Sequence, residues 1–220
     1  MALLAKPHWE AVDPNLREVL EIVGRQPFAQ RIYLAGGTAL ALQIGHRRSE
    51  DLDFFSYEDE FLDASRREII AALEQVSQID TREDVIGNLL LRVNGVSTGF
   101  FGYGYPLLEA VQLPIPIRLA SIADIGLMKL DALITRGARK DFIDLYFILS
   151  SIALDELIAL RPVKFPRFQN FEMMLLEGLT NHENSERDYM PDMLASVDWN
   201  EVKATFLAEA RRLGSRWFDA

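Results

Sequence analysis

Two aspartates one residue apart, Asp51 and Asp53, lie a short way downstream of Gly36-Gly37-Thr38. On a β-strand side chains alternate between faces, so Asp51 and Asp53 point one way and Leu52 the other. Two carboxylates placed so closely repel each other unless a cation sits between them. Hard divalent cations such as Mg²⁺ or Mn²⁺ take a few carboxylates together with the phosphate oxygens of a substrate. The Gly-Gly turn offers the complementary half. Glycine lets the backbone come close to a ligand, and the free N–H groups at the start of the following helix favour a phosphate. Arg48 and Ser49, between the two motifs, join Gly36, Gly37 and Thr38 as candidate nucleotide-binding residues. One side of this constellation suits a triphosphate and the other its metal. That division fits phosphoryl or nucleotidyl transfer, where catalysis is mostly positioning and charge neutralisation. Alone, an Asp-x-Asp reads as a solvated strand edge and a Gly-Gly as an ordinary turn. Together, separated by one short helix, they are far more specific.

The elements that must carry these residues are legible in part. Leu16, Val19, Leu20 and Val23 recur at helical spacing and predict a helix over 14–25. Residues 31–35 read as a short strand, broken by Gly36-Gly37, and residues 38–44 as a small-residue helix ended by Gly45. A charged loop over 46–50 leads to a second strand, 51–55, in which Phe54-Phe55 place the carboxylates at the border of a core. A helix is expected over 59–77. Residues 88–93 and 96–101 flank Asn94-Gly95, a strong hairpin signal. Leu113-Pro114-Ile115-Pro116-Ile117 reads as extended. Ser121 with Asp124 resembles a capping box for a helix over 122–136 closed by Gly137, and a second helix follows over 140–151. Beyond 154 the chain is mostly helical, with a loop expected around 161–168. The expected fold class is therefore α+β: a small mixed sheet with flanking helices over 1–118, then a helical lobe over 119–220.

Composition narrows the function further. The 220 residues carry 23 Lys and Arg against 33 Asp and Glu, a formal charge of −10, which argues against broad non-specific DNA binding. A local basic groove would have to come from His46-Arg47-Arg48 or Arg136-Gly137-Ala138-Arg139-Lys140. Cysteine is absent, which excludes disulfides, thiolate metal sites and a cysteine nucleophile. The three histidines lack metal-ligand spacing and are expected at the surface. No apolar run is long enough to span a membrane and the first residues lack a secretory apolar core, so the expected location is cytoplasmic, with no membrane partner.

Residues 35–42 and 45–55, together with Leu127-Met128-Lys129-Leu130-Asp131-Ala132 and the stretch 136–146, resemble the AbiEii/AbiGii nucleotidyltransferases. These are toxins of abortive-infection, type IV toxin–antitoxin systems, within the DNA polymerase β-like superfamily. The resemblance covers about residues 30–150 in order. It implies a small mixed sheet carrying Asp51 and Asp53 as the metal carboxylates, with a helical lobe closing over the nucleotide. It implies Gly36, Gly37 and Thr38 as the phosphate-binding turn, Lys129 as the helix lysine, and Asp141 or Asp144 as the downstream acid. Asp51, Asp53, Lys129, Asp141 and Asp144 are thus the candidate catalytic set. The implied activity is Mg²⁺-dependent transfer of NMP from an NTP to a hydroxyl, with a tRNA 3′ end as a possible acceptor and an antitoxin protein as partner. Read from the residues alone, Lys129 in its apolar helix either snorkels to solvent, pairs with Asp141 or contacts a triphosphate. Asp141 and Asp144 share a helix face and also read as an exposed acidic surface. Many superfamily members add a third carboxylate on a later strand; residues 96–101 here contain none. That departure keeps open a non-catalytic nucleotide- or partner-binding module, and an NTP-dependent phosphotransferase is a further alternative.

Overall fold

A computed structural model describes residues 2–166 and 169–218, which divide into two compact units, Met1–Ser121 and Ile122–Ala220. The first unit holds β1 (Ala2–Leu3), α1 (Pro14–Gly24), β2 (Tyr33–Ala35), α2 (Gly36–Ile44), β3 (Asp51–Ser56), α3 (Asp63–Glu74), β4 (Ile79–Val85), β5 (Asn88–Val93), β6 (Val96–Gly102), β7 (Ala110–Gln112) and β8 (Arg118–Ala120). The strands form one mixed eight-stranded sheet in the order β1-β7-β8-β2-β3-β6-β5-β4. β3 is central: it runs antiparallel to β2 and parallel to β6.

The alternation along β3 sets its register. Leu52 and Phe54 are fully buried, while Asp51 is exposed and Asp53 half-buried on the opposite face. Phe54 stacks on Phe100 of β6 at 5.3 Å, and Phe28 meets the same ring edge-on at 5.9 Å. Burying one such phenyl ring contributes roughly 1.5–3 kcal/mol. A one-residue slip of β3 would exchange these faces and drive carboxylates into the core.

Several elements differ from the sequence expectation. The helix expected over 59–77 is shorter, because side chains of the preceding loop take over its backbone groups. The Asp59 N–H donates to Ser56 Oγ at 3.0 Å, and the Phe61 N–H donates to Asp59 Oδ1 at 2.8 Å. Phe61, at φ +46°, is buried against the ring of Phe100, and its carbonyl accepts from Arg66. β4 lacks apolar alternation altogether; it exists through its antiparallel pairing with β5 at the sheet edge. The proline-rich stretch 113–117 is the turn between β7 and β8, held by Gln112 Nε2, which donates to the carbonyls of Leu113, Ile115 and Ile117.

The second unit is helical: α4 (Ile122–Thr135), α5 (Arg139–Ile148), α6 (Leu154–Lys164), α7 (Phe171–Thr180), α8 (Glu183–Arg187) and α9 (Trp199–Phe218). α4 packs against α5, α6 and α7. The loop expected around 161–168 starts later than predicted, since α6 continues through Pro162 to Lys164; Arg167 and Phe168 lie outside the described residues. What anchors the last turn of α6 is charge. Lys164 Nζ lies 2.8 Å from Asp124 Oδ1 of α4, with both side chains fully buried.

Removing one partner of such a pair strands the other charge in the interior, at a cost of about 3–5 kcal/mol. Lys164→Ala is therefore expected to lower stability by about that amount in urea unfolding. Lys164→Met with Asp124→Leu, which removes both charges, should recover most of the loss.

Candidate active site

The site in the first unit is built on the junction of β2, α2 and β3. β2 ends at Ala35, paired with Asp53, and the chain turns at once into α2. Gly36 adopts φ +64°, the left-handed region that favours glycine. A side chain there would also collide with β3, because a Cβ on Gly36 would stand 2.9 Å from Asp53 Oδ2. The Asp53 carboxylate thus leans on a bare α-carbon. Asp51 lies on the same face of β3, one pleat away.

Thr38 is turned into the protein. It is buried, its hydroxyl donates to the Asp51 carbonyl, and it lies 2.8 Å from the Ser49 hydroxyl. Ser49 is also buried, with its N–H donating to the Ala11 carbonyl at 2.9 Å. Both residues therefore fix the start of β3 through hydrogen bonds. Arg48 is exposed and donates to the Glu10 carbonyl at 3.2 Å. On β6, Ser97 and Gly99 stand beside Asp51 and Asp53. No acid occupies the neighbouring position, as residues 96–101 predicted. Among the described residues, no group of three or more His, Cys, Asp or Glu side chains gathers into a metal set. Two carboxylates on one face, with glycine keeping the space beside Asp53 open, still fit a cation whose other ligands come from a substrate.

Lys129, Asp141 and Asp144 come together in the second unit. Lys129 Nζ lies 2.9 Å from Asp141 Oδ1 and 2.6 Å from Asp144 Oδ2. Lys129 is almost fully buried and both carboxylates are completely so, which overturns the exposed acidic face that their spacing allowed. Lys129 does not snorkel; of the readings open to it, the structure shows the ion pair, with Asp144 as a second partner. Arg136 completes the set by gripping Asp141 through two bonds, Nε to Oδ2 at 2.7 Å and Nη2 to Oδ1 at 2.9 Å. Two positive and two negative groups make the cluster neutral. Burial pulls the Lys129 ammonium down, but Asp144 and Asp141 together outweigh it and hold its pKa above the ordinary lysine value. Burial likewise pushes Asp141 up, and its bond from Arg136 with the Lys129 and Arg136 charges holds it below the usual carboxylate value.

Two members of this machinery, Arg47 and Arg136, stood in the sequence only as parts of possible basic grooves. In the structure Arg47 is buried and Arg136 is spent on Asp141. Arg139 donates to the Ser185 carbonyl and lies over the Trp199 ring at 4.9 Å. Within these clusters His46 and Arg47 are buried, while Arg48, Arg136 and Lys140 stay exposed. The available signal for Arg47 and Arg136 was their position, two residues before Ser49 and immediately before the Gly137 turn. His46 is buried, contrary to expectation, and His182 packs edge-on to Phe142 at 4.9 Å.

The model of a protein family described as nucleotidyl transferase AbiEii toxin, type IV TA system, matches residues 18–105 and 103–219. An uncharacterized protein of Aquifex aeolicus (strain VF5) is 31% identical over 193 residues, covering 86% of this chain and 91% of that one. Among solved structures, MenT4, a nucleotidyltransferase toxin of Mycobacterium tuberculosis H37Rv, matches with 18% identity over 90% of this chain and 86% of that one, at a TM-score of 0.54. JHP933 from Helicobacter pylori matches with 17% identity over 91% and 89%, at 0.53. ANT(2″)-Ia, solved in complex with adenylyl-2″-tobramycin, matches with 14% identity over 68% and 95%, at 0.50. At these identities the structural likeness bears on the fold, which is the mixed α/β nucleotidyltransferase architecture expected from the sequence. Among the described residues no helix is long and apolar enough to cross a membrane.

Lys129→Met removes the buried ammonium that Asp141 and Asp144 share. A loss of about 3–5 kcal/mol is expected in denaturant unfolding, as for other broken buried pairs. Unchanged stability would remove Lys129 from the cluster.

Acid should act in two windows. His182 has its pKa lowered by burial and then by Lys203, so the unfolded state binds the proton first, and stability falls as pH drops below the ordinary histidine value of about 6.5. Asp141, also lowered, contributes stability above the ordinary aspartate value of about 3.9, lost as pH falls further. His182→Phe should abolish the first window in thermal melts and leave the second.

Proposed function

We propose, from the premise that this chain belongs to the AbiEii family of nucleotidyltransferase toxins, that it transfers NMP from an NTP to an acceptor hydroxyl with Asp51 and Asp53 as its catalytic carboxylates. The observation that carries the site is the Asp53 carboxylate resting on the bare α-carbon of Gly36, with Asp51 on the same strand face. Asp51 and Asp53 would hold Mg²⁺ or Mn²⁺, which supplies charge neutralisation for the triphosphate. The rest falls to the chain itself. The N–H groups of the first turn of α2, beginning at Gly36 and Gly37, are the phosphate donors. Arg48, exposed beside the start of β3, adds positive charge toward the nucleotide. Thr38 and Ser49 act one step back, by holding the Asp51 backbone. In the reaction the acceptor oxygen bonds to the α-phosphorus, the bond from that phosphorus to the bridging oxygen breaks, pyrophosphate leaves and the acceptor loses its proton.

Lys129, Asp141 and Asp144 enter as a positioning set. Their charges are satisfied among themselves and with Arg136, whose side chain stays 57% exposed at the start of the α4–α5 turn. The family resemblance supports an antitoxin protein as partner and a tRNA 3′ end as acceptor. The substitution of Ser97 and Gly99 for a third carboxylate favours a second reading, nucleotide binding without turnover.

Label position distinguishes these readings. With NTP labelled at the α-phosphate, transfer to total tRNA is expected for one or more of the four nucleotides. Transfer of a γ-label instead would mark a phosphotransferase, and binding with neither would mark a binding module. Mg²⁺ with NTP at a hundredfold excess over Kd should stabilise the protein by about 2.7 kcal/mol, a rise in Tm of roughly 5–10 °C for a chain of this size. The double variant Asp51→Ala with Asp53→Ala should show neither the shift nor the transfer. A full shift in that variant would overturn the site.

A further inference from the structure

Gly37 was expected to be glycine so that a phosphate could approach. The structure supplies a different reason. Gly37 has no left-handed backbone requirement, and the space beside its α-carbon is already filled by protein. A Cβ there would run into Nη2 of Arg47, with Arg47 Cζ and Ser49 Oγ each at 3.3 Å. Arg47 is 5% exposed, and its other terminal nitrogen, Nη1, donates to the Arg48 carbonyl at 2.9 Å. The two consecutive glycines thus receive two opposite charges: the Asp53 carboxylate on Gly36 and the Arg47 guanidinium on Gly37.

That placement needs an explanation beyond packing. The first turn of a helix already carries partial positive charge, so a buried guanidinium against it is unfavourable unless negative charge is held nearby. On the neighbouring glycine of the same turn lies such a charge, the Asp53 carboxylate. A planar guanidinium, with donors in a rigid fork, also fixes a backbone more firmly than an ammonium on a flexible stem. We propose that Arg47 is a positioning residue for nucleotidyl transfer: seated on Gly37, it clamps the Gly-Gly turn against the start of β3 and thereby sets the Asp53 carboxylate at its reactive position. This rests on the nucleotidyltransferase reading above. Arg47 acts through the turn and through Asp53, without touching substrate.

The clamp makes Gly37 and Arg47 a single device, so lesions at the two positions should not add. A Cβ at Gly37 displaces the guanidinium, while truncation of Arg47 removes it; both empty the same place. The test is a cycle of four proteins, wild type, Gly37→Ala, Arg47→Ala and the double variant, with Arg47→Lys as a fifth. NMP transfer from α-labelled NTP to total tRNA, and Tm, are measured for each. A misplacement of about 1 Å at a reacting centre costs about 10²-fold in rate. Arg47→Ala and Gly37→Ala are each expected to lower kcat by that order with KM for NTP changed far less. The double variant should be no worse than the poorer single one, and Arg47→Lys should recover only part of the loss. A folded Arg47→Ala protein with wild-type kcat would overturn the clamp, as would losses that multiply in the double variant. A rise in KM with kcat intact would overturn it too, since that marks a direct phosphate contact. Should Arg47→Ala not fold, Gly37→Ala and Arg47→Lys decide, and wild-type kcat in both overturns the proposal. A wild type that transfers no label from any NTP overturns the nucleotidyltransferase reading itself. The Tm cycle still judges the clamp in that case, with additive shifts counting against it.

Discussion

The first unit depends on which way β3 faces. Leu52 and Phe54 must be dry, and Asp51 and Asp53 must not be; a strand that alternates strictly can satisfy both demands in one register only. The aromatic cluster of Phe28, Phe54, Phe61 and Phe100 supplies the apolar side of that choice. The polar side is secured by α2, whose Thr38 binds the Asp51 backbone and whose first glycine accepts the Asp53 carboxylate. The turn, the helix and the strand are therefore one object. Moving any of the three moves the carboxylates.

In the second unit, charged pairs tie the packed helices together from within. Lys129 meets Asp141 and Asp144, Arg136 meets Asp141, and Lys164 meets Asp124. Such pairs give little net stability compared with apolar packing, but they penalise arrangements in which a partner is misplaced. α4 supplies a member to each network, through Asp124 near its start and Lys129 in its middle. The packing of α5 and α6 on α4 is thus tied to charge matching as well as to Leu127, Leu130 and Leu133.

The internal use of the basic residues bears on partners. With a formal charge of −10, with Arg47 buried and with Arg136 and Arg139 paired to their own unit's groups, recognition of a nucleic acid by broad charge attraction has little to draw on. An acceptor would have to be selected by local contacts at the site.

Local pattern determined much of this protein in advance. The alternation in 51–55 placed both carboxylates on one face; Asn94-Gly95 placed the β5–β6 hairpin; Gly45 and Gly137 marked helix ends; and the absence of an acid in 96–101 held when β6 proved to be the neighbour of β3. Each is a matter of backbone preference or side-chain period, which nearby residues decide. The tertiary structure alone decided the rest. β4 carries no strand signal and exists by pairing with β5, and α3 starts late because Asp59 and Ser56 capture backbone groups. Lys129 could have snorkelled, and only the approach of α5 to α4 converts it into the partner of two carboxylates. Arg47 and Arg48 are adjacent and chemically identical, yet one is buried against Gly37 and the other exposed. Which of two like charges lies inside depends on what the fold brings against it from elsewhere in the chain, and spacing along the sequence does not contain that information.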